Sequence, residues 1–311
     1  MSRTIALTGA TGFIGSAVLE RLAAEGWQIR ALIRSKAAPA RFAKTDIQWI
    51  RGRLNELTSL KHLVQGVDHV IHCAGVVRGV SQSDFDRVNV DGVGRLAEAA
   101  SAQQPVPQFL LISSLAAREP HVSSYAASKR KGEEILTHVS AKLHWVALRP
   151  PAVYGPGDRE ILPLFRWMIR GIAPIIGSGN ARFSLLHVED LAEAIKDLIL
   201  HPAASRSIFE LHDGHPNGYG WQDVIETIER LNHKRVFRIP VPVILLRCLA
   251  GFNVAAARAA GYAPMLTPGK VRELCHSNWI CDNTALNAAT GWSPRISLLE
   301  GLQQTLSWNK A

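Results

Sequence analysis

Cysteine is scarce in this chain of 311 residues, and long apolar runs are missing. The four cysteines form no Cys-x-x-Cys pair and stand at Cys73, Cys248, Cys275 and Cys281. No apolar leader precedes the first predicted strand, so we expect free thiols in a reducing cytoplasm. No uninterrupted apolar run reaches about 18 residues. The best segment, 241–265, carries Arg247 and Arg258, so a membrane-spanning helix is not expected.

Other chemical signatures are also lacking. No spacing of histidines and cysteines is typical of a metal site, and no glutamate pair suggests glycoside chemistry, so we expect no bound metal. The net charge is +9, but aromatic residues are too scattered among the basic ones to indicate a nucleic-acid partner. The basic residues concentrate in 30–61 and in 230–272, and the second stretch contains no acidic residue. Such an excess bears on partners rather than on fold.

A glycine-rich turn follows the first apolar segment and reads Thr8-Gly-Ala-Thr-Gly-Phe-Ile-Gly15. Glycines at these positions permit a tight turn, a close approach to a pyrophosphate and close packing of the next helix. The N-terminus of that helix adds partial positive charge. The spacing is G-x-x-G-x-x-G, whereas the usual fingerprint is G-x-G-x-x-G. Its position between a strand and an amphipathic helix predicts a dinucleotide site, with contacts from Gly9, Thr11, Gly12, Phe13, Ile14 and Gly15.

Short apolar runs alternate with helical patterns through the first half of the chain, which predicts βαβ units. The predicted strands are 4–7, 28–33, 47–50, 69–72, 109–113 and 145–148. The fold class is therefore α/β, a Rossmann-type doubly wound parallel sheet. Proline and glycine interrupt the pattern after Arg149. We predict a nucleotide-binding domain at 1–154 and a smaller, interleaved substrate-binding region at 155–311, with a return to the sheet around 183–213.

Chemistry is indicated on the helix after the fifth strand. Tyr125 and Lys129 are four residues apart, so they share one face of that helix. A nearby ammonium favours the phenolate and lowers the pKa of a tyrosine, which suits proton transfer at a carbonyl or hydroxyl. The fifth strand ends in Ser113 and Ser114, at the edge where ligands of open α/β sheets bind.

Taken together, these elements resemble an extended short-chain dehydrogenase/reductase of the NAD(P)-dependent epimerase/dehydratase group over nearly the full length. Further matching motifs are Asp68-His-Val-Ile-His-Cys-Ala-Gly75, Val88-Asn-Val-Asp-Gly92, Leu148-Arg-Pro150, Val153-Tyr-Gly-Pro-Gly157 and His187-Val-Glu-Asp190. We interpret His72, His187 and Asp190 within these motifs as supports for loops.

The resemblance implies roles for individual residues. Tyr125 would be the general acid/base, Lys129 would hold the nicotinamide ribose and tune the tyrosine, and a serine would polarise the substrate carbonyl. Ser114 fits that last role better than Ser113. Further cofactor contacts are implied for Ala74, Gly75, Asn89, Lys129 and Pro150. Relatives pair through helices of the nucleotide domain, so the resemblance also implies a homodimer.

Cofactor choice depends on the end of the second strand, where an NAD site usually has an acidic residue. This chain has Arg34 there, which can pair with a 2′-phosphate, and Lys36 and Arg41 could add to the field. We therefore predict NADP(H), with NAD(H) as the alternative. Arg53 departs from the family, which commonly has an aspartate at this place near the adenine.

The C-terminal half bears on the substrate. If 239–265 is helical, Arg247 and Arg258 share one face, since they are eleven residues or about three turns apart. Such a basic apolar segment can lie on an anionic membrane surface, cap a pocket for a greasy substrate, or simply cover the core. The later stretches 266–274, 278–282 and 289–294 resemble ketone-reducing members.

The predicted function is NADPH-dependent reduction of a ketone on a hydrophobic small molecule, of a 3-keto lipid, sphingolipid or steroid type. Tyr125 would deliver the proton. Three alternatives stay open. They are a sugar-nucleotide epimerase or dehydratase with tightly bound NAD, a non-catalytic NADP-binding accessory or regulatory protein, and a dehydrogenase running in the oxidising direction.

Overall fold

Thirteen strands are assigned in the computed structural model, which describes residues 4–35, 37, 39–42, 46–139, 141–201 and 205–308. Their bounds are β1 Thr4–Thr8, β2 Gln28–Ile33, β3 Ile47–Arg51, β4 His69–His72, β5 Gln108–Ile112, β6 Trp145–Arg149, β7 Ala152–Tyr154, β8 Ile172–Ile176, β9 Arg182–Phe183, β10 Leu185–His187, β11 Ser207–Glu210, β12 Phe237–Val241 and β13 Asn278–Trp279.

Twelve α-helices are assigned in the same described ranges. Their bounds are α1 Phe13–Ala24, α2 Leu57–Val64, α3 Gln82–Asn89, α4 Asp91–Ser101, α5 Ser124–Val139, α6 Leu162–Ile169, α7 Val188–Leu200, α8 Trp221–Asn232, α9 Val243–Ala260, α10 Pro268–Cys275, α11 Thr284–Thr290 and α12 Leu298–Ser307.

Seven strands form one parallel sheet in the order β3-β2-β1-β4-β5-β6-β11. Helices cover both faces, because α1 and α7 pack in the core on one side and α2, α4 and α5 pack on the other. Central strands buried from both sides consist of apolar runs, as in β5 and β6. The strand order reverses between β1 and β4, which creates a crevice at their carboxyl ends. The predicted Rossmann-type doubly wound sheet is therefore confirmed.

The remaining strands form three parallel pairs beside this sheet: β7 with β10, β8 with β12, and β9 with β13. A second apolar core joins α6, α8 and α12 around the buried side chains of Tyr154, Phe165 and Leu302. Because β11 then pairs with β6, the chain leaves the main sheet, contributes to the second core and returns. The division into 1–154 and 155–311 stays our proposal.

Two helical segments differ in detail from the sequence pattern. The apolar face expected over 88–100 belongs to two helices, since α3 ends at Asn89 and α4 begins at Asp91. In the C-terminal half, α9 runs unbroken through Gly251, whose position faces open space. A glycine within a helix weakens it by about 1 kcal/mol but does not end it. The helix ends instead at Gly261, which has a left-handed φ of 70°.

Candidate functional site

The glycine turn joins β1 to α1 at the switch point of the sheet. Gly9 has a φ of 74°, and a Cβ there would lie 2.6 Å from the Ala74 nitrogen. A Cβ on Gly15 would lie 2.1 Å from the Gly9 oxygen, so only glycine lets α1 start this close to the turn. Gly12 caps α1, and the first turn contains no acidic residue. The N–H groups at this terminus suit an anionic pyrophosphate, so the cradle fits a dinucleotide.

The other predicted cradle residues surround this turn. Thr11 is exposed at its rim, and Phe13 and Ile14 are half-buried in the first turn of α1. Asn89 is buried and braces the loop after β4: its side-chain oxygen accepts from the Val76 N–H at 2.9 Å and its amide donates to the Val76 oxygen at 3.0 Å. This contact holds Ala74 and Gly75 against the glycine turn. We therefore assign Asn89 the positioning of this loop rather than a direct cofactor contact.

Lys129 is buried where β4 and β5 end. Its Nζ donates to the Ile112 oxygen at 2.6 Å and lies 3.9 Å from the position of a Cβ on Gly75. Burial lowers the pKa of Lys129 to about 8, while the charges of Glu133 and Cys73 raise it. Lys129 is thus within reach of the Ala74–Gly75 loop, which suits the ribose role that the resemblance implies.

The two serines after β5 are oriented differently. Ser113 is buried, and its Oγ donates at 2.5 Å to Glu133, which also forms two hydrogen bonds with Arg149. Ser114 instead lines a cavity, where its Oγ accepts from the Ala116 N–H at 3.2 Å and keeps its own proton free to donate. Pro150 supports this turn by accepting from the Leu115 N–H at 2.8 Å. The geometry therefore favours Ser114 over Ser113 for contact with a substrate.

Tyr125 faces the same cavity and contacts Ser114. Burial raises the pKa of Tyr125 to about 12, and Glu273 adds to this, while a hydrogen bond with Ser114 lowers it. The expectation that Lys129 lowers the pKa of this tyrosine is therefore wrong for the protein alone. The physical reason is that desolvation dominates and that the ammonium of Lys129 is directed to the Ile112 carbonyl. Tyr125 is protonated at neutral pH, which is the state of a proton donor.

The cavity beside Ser114 and Tyr125 has a volume of about 510 Å³. Its walls are mainly apolar and include aromatic side chains from both halves of the chain, among them Phe165, Trp221 and Trp279. A few polar groups lie at one side, where Tyr125 and Ser114 meet Glu273. An apolar cleft with few convergent polar groups is the usual form of a site for a hydrophobic small molecule.

A smaller cavity of about 240 Å³ adjoins the first and shares Tyr125 with it. Its lining is more polar and includes Ser123, Arg258 and Lys270. Tyr125 therefore stands between an apolar chamber and a polar one.

Glu273 was given no role by the sequence interpretation. It is buried on α10, accepts a hydrogen bond from the Ser123 hydroxyl and pairs with Lys270 at 2.8 Å. The Ser123 hydroxyl also accepts from the Ala126 N–H at 2.9 Å, at the start of the helix that carries Tyr125. A signal existed in the sequence, because Glu273 is the first acidic residue after the basic stretch 230–272. Its spacing of three from Lys270 fits a helical pair.

The basic residues near the second strand are arranged at the edge of the cradle. Arg34 follows β2, is exposed, and has no ion pair within the described ranges. Lys36 lies outside the described residues. The guanidinium of Arg41 lies 4.7 Å from the centre of the Phe42 ring, and Arg53 is exposed with Glu56 at 4.0 Å. Arg34 is thus available to a phosphate at the end of the strand next to β1.

The motif residues interpreted as loop supports have structural contacts. The Thr8 hydroxyl lies 2.7 Å from Nδ1 of His72, and burial lowers the pKa of that histidine to about 3. His187 caps α7, and Asp190 accepts from the Arg295 and Ile296 N–H groups. The four cysteines are free thiols. In the described part of the chain, no group of three or more His, Cys, Asp or Glu side chains is arranged to hold a metal ion.

The lowered pKa of Lys129 makes a prediction for stability. Between about pH 8 and 10.5, the unfolded lysine holds a proton that the folded one has lost, so the contribution of Lys129 to stability rises with pH. Lys129→Met removes this contribution. Denaturant titrations of both proteins should show the stability of the wild type rising relative to the variant across this window. A constant difference from pH 7 to 10.5 would contradict the assignment.

A dinucleotide cradle beside a proton-donating tyrosine is the arrangement of an NAD(P)-dependent oxidoreductase, and the fold and site place this enzyme in that class. The model of the NAD dependent epimerase/dehydratase family matches residues 5–211. The chain belongs to this family, as the sequence resemblance predicted.

Two curated relatives and one solved structure illustrate the range of similar proteins. The chain is 35% identical to a ceramide reductase of Caulobacter vibrioides, over 99% of this chain and 94% of the relative. It is 25% identical to a UDP-glucose 4-epimerase of Vibrio cholerae, over 98% of this chain and 95% of the relative. The structure of MoeE5 in complex with UDP-glucose and NAD is similar with a TM-score of 0.76 at 22% identity, covering 99% of both chains. This last likeness shows the fold alone.

Proposed function

We propose that this enzyme reduces a ketone on a hydrophobic small molecule and uses NADPH as the reductant. The observation that carries the proposal is the apolar cavity of about 510 Å³ with the hydroxyls of Ser114 and Tyr125 at its wall. The raised pKa of Tyr125 supports the reducing direction, because the reaction needs a protonated donor.

The mechanism assigns one task to each residue. The cofactor, held by the glycine turn and Lys129, supplies the hydride when bound. The free proton of the Ser114 hydroxyl is donated to the carbonyl oxygen of the substrate and polarises it. Tyr125 transfers its phenolic proton to the same oxygen as negative charge develops there. The apolar walls exclude water, which strengthens both interactions.

The ceramide reductase relative, at 35% identity, supports a lipid ketone as the substrate class. We propose a 3-keto compound of the sphingolipid type. Its apolar chain would occupy the larger chamber, its ketone would meet Ser114 and Tyr125, and its polar end would face the smaller chamber with Arg258 and Lys270. The position of Tyr125 between the two chambers supports this orientation.

The preference for NADPH makes a prediction for Arg34. Charge-assisted hydrogen bonds to a phosphate contribute about 1.5–3 kcal/mol, so Arg34→Ala should raise the KM for NADPH about 10- to 100-fold. The KM for NADH should change little, since NADH lacks the 2′-phosphate. Initial-rate kinetics with both cofactors measure the effect.

Arg53→Ala is the matched control, because Arg53 is an exposed arginine just after the neighbouring strand β3. It should leave both KM values within about twofold. An equal loss with NADPH and NADH in Arg34→Ala would contradict the role of Arg34.

The proposed function is tested by NADPH consumption over a panel of 3-keto lipids, steroids, flavonoids, aldehydes and UDP-sugars, with Tyr125→Phe as the control. We expect turnover with 3-keto lipids by the wild type alone. Turnover with UDP-sugars only would reject the lipid substrate.

A sugar-nucleotide epimerase or dehydratase is the second candidate, favoured by the UDP-glucose 4-epimerase relative at 25% identity. Such an enzyme retains NAD tightly, so mass spectrometry of the denatured, purified protein should find one equivalent of NAD. Our proposal expects NADP(H) or no retained cofactor. A non-catalytic accessory role would leave cellular function intact in Tyr125→Phe, and an oxidising direction would require turnover of the matching alcohol with NADP⁺.

The assembly and location predicted from the sequence remain proposals. We keep the homodimer that the family resemblance implies and the location in the cytoplasm. Contact with a membrane is argued next from the structure of α9.

A further inference from the structure

Helix α9 exposes a broad apolar face. Ile244 is 75% exposed and Phe252 is 77% exposed, and Leu245 and Leu249 are each about half exposed. At 100° per residue these four side chains span an arc of about 140°. The strand β12, which leads directly into the helix, adds the exposed side chains of Phe237 and Ile239. Contiguous apolar surface of this kind marks an interaction site.

The opposite face of α9 is attached to the protein. Leu246 and Ala250 pack with Val271 of α10, and Ala257 is also buried. By length and composition, Val243–Ala260 could cross a membrane. A helix fixed along one face to the rest of the fold cannot be surrounded by lipid, so the geometry is that of a helix lying in the plane of an interface.

The charge around this face selects the occupant. Arg247 and Arg258 lie about 20° apart on the helix and flank the apolar arc on one side. The segment before α9 carries Lys234, Arg235 and Arg238, and the whole stretch 230–272 has no acidic residue. A second copy of this chain would bring like charges together, whereas anionic lipid headgroups would neutralise them.

The same helix borders the candidate site. Val254 and Arg258 line the smaller cavity that shares Tyr125 with the larger one. Asn253 donates to the Leu266 oxygen at 2.9 Å and so holds the following loop, which contributes Met265 and Leu266 to the wall of the larger cavity. The exposed apolar face and the entrance to the site therefore belong to one element.

We propose that α9 docks this enzyme on an anionic lipid surface, with the face formed by Ile244, Leu245, Leu249 and Phe252 inserted among the lipids. A lipid substrate then enters the site along the flank of α9 without crossing water. The nature of that substrate rests on the proposed function, but the docking itself does not.

Vesicle sedimentation of the full chain, without cofactor or substrate, tests the docking. We expect binding to vesicles of phosphatidylcholine with phosphatidylglycerol, and much weaker binding to phosphatidylcholine alone or at high salt. Arg247→Gln should weaken binding to the anionic vesicles about fivefold. The double variant Ile244→Ser with Phe252→Ser should weaken it about tenfold or more. The matched control is Leu57→Ser with Leu299→Ser, which removes two other exposed leucines and should bind as the wild type does.

Absent binding by the wild type, or unchanged binding by the double variant, would overturn the proposal. So would a dimer that the double variant splits while vesicles bind neither protein, because the face would then belong to a second copy. Turnover of N-acetyl 3-ketosphinganine, a short-chain probe in solution, separates this failure from that of the proposed function. The double variant should reduce it at the rate of the wild type and lose rate only when the ketone is embedded in vesicles.

Discussion

Tyr125→Phe is expected to lower kcat for ketone reduction about 100- to 10,000-fold, the usual range for loss of a general acid. The change removes only the hydroxyl that faces the cavity beside Ser114. The ring remains, and with it the edge contact to Phe85, whose ring centre lies 6.2 Å away. Binding of NADPH should therefore change little. Steady-state kinetics together with a fluorescence titration of NADPH separate the two effects.

Tyr154→Phe provides the matched control. Tyr154 is buried in the second core, and its hydroxyl has no hydrogen-bond partner among the residues described. Its removal should keep kcat within about twofold, since no hydrogen bond is lost. A loss of less than about tenfold in Tyr125→Phe, with a normal near-ultraviolet circular dichroism spectrum, would show that another group delivers the proton.

Glu133→Ala is expected to reduce the free energy of unfolding by about 3–5 kcal/mol, because it leaves a buried charge without its main partner. The Glu133 carboxylate accepts from Nε of Arg149 at 2.9 Å, from Nη2 at 2.6 Å and from the Ser113 hydroxyl at 2.5 Å. In its absence Arg149 would retain Glu210 at 3.8 Å. Urea denaturation followed by circular dichroism measures the loss.

The neighbouring residue supplies the control for this change. Glu134 has the same side chain on the same helix, but it is exposed and pairs with Arg130 on the surface at 2.9 Å. Glu134→Ala should cost no more than about 0.5 kcal/mol. Equal losses at the two positions would mean that the buried cluster does not fix the position of Ser113 and of the adjoining turn.

Most of the main sheet could be predicted from the sequence, because buried parallel strands are short apolar runs separated by helices. The strand expected at 28–33 agrees with β2 Gln28–Ile33, and the one at 69–72 agrees with β4 His69–His72. The glycine turn was located by its context between strand and helix. These features depend on local sequence, so a single chain is enough to find them.

The finer features of the site depend on partners far away in sequence. Alternation along an extended segment indicates that Ser113 and Ser114 point to opposite sides, but only Glu133, twenty residues later, decides which one is engaged. The pKa of Tyr125 depends on burial and on Glu273, neither of which is visible in the spacing of Tyr125 and Lys129. Their separation of four residues fixes a common helix face, not the electrostatics of that face.

The orientation of α9 was open for the same reason. Its sequence is apolar over most of the circumference, so the pattern alone allows either a core-covering helix or a surface helix. The structure buries only the side formed by Leu246, Ala250 and Ala257. Val271 of α10 selects that side by packing against it, which leaves the larger side chains of Ile244 and Phe252 exposed.

Transfer of deuterium is the most direct test of the central claim that a hydride passes to a lipid ketone. NADPH deuterated at the transferred position is incubated with the enzyme and N-acetyl 3-ketosphinganine, and the product is examined by mass spectrometry. The account predicts one deuterium on the new carbinol carbon and one NADP⁺ formed for each product molecule. A product without the label, or turnover of UDP-sugars alone with no net oxidation of the cofactor, would contradict it.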